Sequence, residues 1–219
     1  MIPPPRWTLR RRVALELAVL ALLAALYLAL LPARPLAVDL GMALVGLGLV
    51  AASARSTRER IWGRPAEPTR ERLGRSTRLM LLLTVPGVLA FGAWGAARPA
   101  PASLFPPAFF ATLLLFIPWA GLQQTLFQFY LLGRLRVLCP AAPPLVLAAG
   151  NGLLFGAVHL PDWDLALLTL LGGGVWSYAY QRDRLLAPIA LSHALLGTAY
   201  LSWVRGSAPA WDQLLGVIR

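Results

Sequence analysis

Seven apolar runs, over residues 13–31, 36–54, 79–97, 105–135, 145–160, 164–181 and 186–204, dominate the chain. About 20 apolar residues in a helix, each rising about 1.5 Å, cross the roughly 30 Å of hydrocarbon in a bilayer. In lipid every backbone N–H and C=O must be satisfied internally, so uninterrupted runs of this length fold as helices. The expectation is an all-α, polytopic helical membrane protein of about seven transmembrane helices. Pro32 and Pro35, the group Pro99, Pro101, Pro106 and Pro107, and the group Pro140, Pro143 and Pro144 separate consecutive runs as short turns between antiparallel helices. The first run reads as a retained helix. It exceeds the ~7–15 residues of a signal-peptide core, and no small-x-small cleavage pattern follows Leu31.

Composition agrees. Hydrophobic residues make up 58% of the chain and charged residues 13%, with a mean hydropathy of +0.66. The net charge of +11 comes from twenty basic residues, all of them Arg. They lie between apolar runs and are not interleaved with aromatics on a polar face, which excludes nucleic acid as a partner and makes them topology signals. The segment 55–78 holds eight Arg against Glu59, Glu67 and Glu71 and reads as a basic cytoplasmic loop, with anionic lipid as an alternative role. Arg6 to Arg12, Arg134, Arg136, Arg182 and Arg184 then lie inside, and Arg34, Arg98, Arg205 and Arg219 outside. This places the N-terminus in the cytoplasm and the C-terminus across the membrane, the inner membrane for a bacterial source. Trp62, Trp119, Trp163, Trp203 and Trp211 fall near span ends, as interfacial anchors do. The segment 208–218 reads as a short interfacial helix. The lone Cys139 excludes an internal disulfide and a cysteine zinc site.

Polar side chains inside membrane helices are costly, so their positions mark either function or interhelical hydrogen bonding. Glu16 and Asp39 each lie near a span end and read as structural. Gln123, Gln124 and Gln128 fall in the fourth span, His159 at the end of the fifth and His193 in the seventh. Gln124 and Gln128 share a helix face, with Gln123 about 100° round from Gln124. The two histidines are the only ones in the chain, and with the glutamines they form a candidate polar pocket between helices. Straight-helix arithmetic puts His159 roughly 22 Å beyond Pro144 and His193 about 14 Å beyond Arg184, at different depths unless helices tilt.

The spacing of these residues resembles the CAAX protease and bacteriocin-processing (CPBP, or Abi) intramembrane endopeptidases. That family carries EExxxR, FxxxH and HxxxN in successive helices. Here Gln123-Gln124-Thr125-Leu126-Phe127-Gln128 occupies the first register, Phe155-Gly156-Ala157-Val158-His159 is an intact second motif, and His193-Ala194-Leu195-Leu196-Gly197 occupies the third. The resemblance covers about residues 105–204, leaving 1–104 as an N-terminal part with three helices and 205–219 as a tail. It implies a CAAX-protease-like bundle. Gln123, His159 and His193 would position and activate a water, with Gln124, Gln128, Phe155 and Gly197 in supporting or substrate-binding positions. The substrate would be a lipidated or membrane-embedded peptide.

The chain departs from the motif at its charges. A primary amide does not titrate near neutral pH and cannot act as general base, a loss that typically costs about 10²–10⁴-fold. Two histidines and an amide also make a poor zinc site, so neither metal nor cofactor is expected. No Glu follows Glu71; Asp162 and Asp164, the carboxylates nearest His159, read as caps of the sixth helix. Loss of two glutamates and an arginine together keeps net charge roughly balanced, the pattern of a co-adapted neutral variant. Three readings follow: a histidine-based endopeptidase, a pseudoprotease that binds membrane segments in an immunity, chaperone or regulatory role, and a small transporter. The transporter reading is weakened by the lack of repeats and paired intramembrane charges.

Overall fold

The computed structural model describes residues 6–29, 36–62, 69–98 and 105–206, and their regular secondary structure is entirely helical. In chain order these are α1 (Arg6–Ala29), α2 (Leu36–Trp62), α3 (Arg70–Ala96), α4 (Pro107–Gln124), a π-helical segment (Thr125–Leu131), α5 (Leu132–Leu138), α6 (Pro144–Ala157), α7 (Trp163–Asp183), α8 (Leu186–Ala199) and a second π-helical segment (Tyr200–Arg205). The expected fourth span is one continuous helical stretch through α4, the π segment and α5. Two of the described helical stretches, Arg70–Ala96 and Pro107–Leu138, are long and apolar enough to cross a membrane, and Pro144–Ala157 is apolar but shorter. Arg34, Trp211 and the segment 208–218 lie outside the described residues, as does the side chain of Asp39.

The segment read as a loop over 55–78 is helical on both flanks. Helix α2 continues to Trp62, and α3 starts at Arg70. Thr69 caps α3 by accepting the Arg72 backbone N–H, and arginine is a good helix former once it lies outside hydrocarbon. Hydropathy marked where the apolar stretch stops, which is not where the helix stops.

The chain divides into two compact units, Met1–Ala66 with Tyr130–Pro143, and Glu67–Phe129 with Pro144–Arg219. The division differs from one drawn at residue 104, because α3 packs with α7 and α8.

In the first unit α1, α2 and α5 pack on one another. Arg134, expected to be a cytoplasmic topology charge, is instead 1% exposed. Its guanidinium reaches Glu16 Oε1 at 3.2 Å, Ser53 Oγ at 2.7 Å and Thr57 Oγ1 at 3.0 Å, and its Cζ lies 3.8 Å from the centre of the Tyr130 ring. The Tyr130 hydroxyl also donates to Glu16 Oε1. Arginine can be taken inside because its Nε and Nη2 find acceptors and its planar cation an aromatic ring. The pair also explains Glu16, whose carboxylate meets a cation within the unit and not an interface.

The second unit holds both histidines. Glycines on α6 and α7 bring those helices unusually close: a Cβ at Gly152 would fall 2.6 Å from the Leu170 carbonyl oxygen, and one at Gly156 2.7 Å from that of Ala166. Small residues at this spacing let membrane helix backbones approach, where apolar surface alone drives little association. Asp162 caps α7 by accepting the Leu165 N–H at 3.2 Å, as expected. At one end, Arg72 donates to the Asp183 carbonyl and Arg75 to its carboxylate, both at 2.5 Å. At the other, Arg98 donates to the Val204 carbonyl at 2.5 Å and Arg205 pairs with Asp162. Within this unit, arginines assigned to opposite sides of the membrane therefore sit at opposite helix ends. Trp203 is buried and stacks on Phe109 with ring centres 5.4 Å apart, so it is a core residue and not an interfacial anchor.

Candidate active site

A cavity of about 680 Å³ opens in the second unit between α3, α4, α7 and α8, and its walls include Gln123, His159, His193 and Gly197. Phe155 joins the two histidines. The His159 ring lies edge-on to it with centres 5.4 Å apart, and the His193 ring edge-on at 5.5 Å. The depth mismatch expected from straight helices does not arise, because α6 ends at Ala157 and His159 stands on the turn that follows. Its position at a helix end was the expectation; from the turn its ring reaches the same Phe155 that the His193 ring meets from α8.

The two rings are held at Nδ1 by partners of different kinds, a backbone carbonyl for His159 and a side-chain amide for His193. His159 Nδ1 lies 2.8 Å from the Phe155 carbonyl oxygen, and a carbonyl only accepts, so Nδ1 carries the proton and Nε2 is left as an acceptor. Thr169 Oγ1 lies 3.2 Å from the same Nδ1 and steadies that side of the ring. His193 Nδ1 lies 3.1 Å from Gln124 Nε2; with the amide in this orientation Nδ1 accepts and Nε2 carries the proton, and the flipped amide reverses the two. Trp176 covers His193 with ring centres 4.8 Å apart, and Phe116 meets it edge-on at 5.7 Å.

The three glutamines separate as the helix geometry requires. Gln124 and Gln128 are fully buried, whereas Gln123 lines the cavity. Gln123 Oε1 is itself buried, without a protein partner among the described residues. Gln128 does not touch the cavity. Its Oε1 lies 3.2 Å from Asn151 Nδ2 and 2.8 Å from Ser177 Oγ, and Asn151 also donates to Ser177 at 2.8 Å and to the Phe127 carbonyl at 3.2 Å. An arginine in place of Gln128 would leave a buried cation among neutral amides and hydroxyls, which is unfavourable without a counter-ion. The neutral replacement at Gln128 thus agrees with the neutral replacements at Gln123 and Gln124.

Gly197 has an equally local reason. A Cβ there would fall on the Phe116 ring, 3.1 Å from its Cζ and closer still to Cε1. Phe116 takes the space that an asparagine would need. Among the described residues no cluster of three or more His, Cys, Asp or Glu forms a metal site.

Thr169 and Trp176 line the cavity and Asn151 and Ser177 hold Gln128, and none of the four was singled out by sequence reasoning. Asn151 was within reach, since it is an amide inside an apolar run like the glutamines. The other three give no comparable signal.

Residues 101–199 match the family model described as Rce1-like, type II CAAX prenyl endopeptidase. No curated protein matches the chain, and no solved structure does. The matched stretch contains all three motif registers, in agreement with the resemblance drawn from their spacing, and Rce1-like proteins are helical integral membrane proteins. Over residues 101–199, a little under half of its length, the chain is therefore similar to the Rce1-like proteins, in keeping with the CPBP type.

Proposed function

We propose that the cavity is an intramembrane endopeptidase site that hydrolyses lipidated or membrane-embedded peptides with His159 as its base. The observation that carries the reading is that Gln123, His159 and His193 line one cavity, with His159 Nδ1 bound to a carbonyl and its Nε2 left as an acceptor. A water donates one hydrogen bond to His159 Nε2 and, once the Gln123 side chain turns its oxygen toward the cavity, the other to Gln123 Oε1, which aims the water's lone pairs at a peptide carbonyl. On attack, His159 takes the water proton and the carbonyl oxygen gains charge opposite His193 Nε2–H. The C–N bond then breaks, and the leaving amine receives the proton from His159. Glutamine supplies the acceptor geometry of a glutamate without its charge, so activity would run below that of a carboxylate site. Seven membrane spans, a cytoplasmic N-terminus and a bacterial inner-membrane location belong to the same proposal and rest on the apolar runs and arginine distribution.

A second reading has its own support: among the described residues no carboxylate lines the cavity. The chain would then hold membrane segments without cutting them. Purified protein in liposomes, given prenylated and transmembrane peptides, separates the two. Cleavage that disappears in both His159→Ala and His193→Ala establishes the peptidase. No cleavage by the wild type, with cleavage appearing in Gln123→Glu, establishes a binding protein on a peptidase scaffold.

A further inference from the structure

The family match begins at residue 101, yet α3, over residues 70–96, supplies Leu83, Gly87 and Phe91 to the cavity wall. One polar contact from α3 goes further. Thr84 is buried and its hydroxyl donates to Ser192 Oγ at 2.7 Å. The same oxygen accepts the Trp176 indole N–H at 3.2 Å. Ser192 is the residue before His193 on α8, and Trp176 is the ring lying over His193.

We infer that Thr84 is a positioning residue for His193, acting through Ser192 and Trp176, so that the working site includes α3 as well as the family-matched stretch. The inference rests on the proposed site only in taking His193 as its business end. Ser192 has two lone pairs, and both are used here, one by Thr84 and one by Trp176. Trp176 is 3% exposed, and its indole is fixed in its plane by that bond. An indole without it is free to slide over the imidazole, because aromatic pairs have broad, shallow minima between offset and tilted arrangements. The imidazole is also held from other sides, by Gln124 at Nδ1 and by Phe116 and Phe155 at its edges. Trp176 closes the remaining face. Thr84 lies two residues before Pro86 inside α3. A proline deprives the helix of one backbone bond at that level, and a side-chain bond to α8 nearby holds the two helices in register.

The test uses the whole chain with 15N-labelled histidine in lipid, where only two imidazoles contribute signals and His159→Gln assigns them. Thr84→Val keeps the shape of threonine and removes the donor; Ser192→Ala removes the shared acceptor; Thr84→Ser keeps the donor. The expected result is that Thr84→Val and Ser192→Ala each shift the His193 ring nitrogens and leave those of His159 in place, with Thr84→Ser close to wild type. With a cleavable peptide, kcat falls about tenfold while KM stays within about twofold, the size of one lost buried hydrogen bond. Unchanged His193 signals in either variant overturn the inference, and so do equal shifts of both histidines, which would mark loosened packing. Should Thr84→Val fail to fold, Ser192→Ala reads the same bond from the other helix. Because the nitrogen signals do not depend on turnover, failure of peptide cleavage leaves this test intact.

Discussion

Gln124 Nε2 lies 3.1 Å from His193 Nδ1, a contact that in this amide orientation keeps the imidazole proton on Nε2. Replacing Gln124 with Glu exchanges a donor for an acceptor. The proton is expected to move to His193 Nδ1, leaving Nε2 unable to donate, and 15N shifts of the ring would report the swap directly. Gln124→Leu removes the partner altogether; turnover or ligand affinity should fall about tenfold. A His193 spectrum indifferent to both changes would show that Gln124 does not set the tautomer.

Gln123→Glu should raise peptide cleavage by about 10²-fold or more, since it adds a titratable base where only an acceptor now stands. Thermal unfolding in detergent should show a lower midpoint, because a carboxylate on a largely apolar wall is poorly solvated. Cleavage that stays flat would mean that the missing charge is not what limits the site.

Gly197→Asn puts a side chain where Phe116 sits. The single change should destabilise by about 1–3 kcal/mol through overpacking, and Phe116→Ala in the same chain should recover part of that loss. A double-mutant cycle measures the coupling, and simple additivity would show that the two positions do not compete for one space.

Arg134 and Glu16 form a buried pair in the first unit. Either Arg134→Met or Glu16→Gln alone should cost about 3–5 kcal/mol by leaving a charge without its partner, whereas Arg134→Met with Glu16→Leu should be markedly milder. Equilibrium unfolding of the three variants checks the order.

The sequence readily yields features set by a single long-range constraint. The bilayer forces helices, so the apolar runs locate all seven helical stretches of the described chain. Motif spacing likewise brings Gln123, His159 and His193 to one cavity. What stays hidden depends on a partner far along the chain. Arg134 looks like any loop arginine until Glu16, Ser53 and Thr57 surround it. Gly197 looks like a missing asparagine until Phe116 is seen to fill its place. The ends of α2 and α3 were missed for a simpler reason: hydropathy measures what lipid tolerates, and arginine-rich helix continues well beyond it.

The apolar walls of the cavity carry a further consequence. Leucine, phenylalanine and tryptophan line most of it, with Gln123, Thr169, Tyr200 and the two histidines as the polar exceptions. For a ligand arriving from water, such walls would be a strong attractant, about 0.8 kcal/mol for each methylene buried. For one arriving from within the bilayer they offer almost nothing, since acyl chains are as oily as leucine. A greasy tail is indifferent to which of the two surrounds it. Selection among the many hydrophobic segments in a membrane must then come from fit to the wall's contour and from the few atoms that can exchange a hydrogen bond with a peptide group.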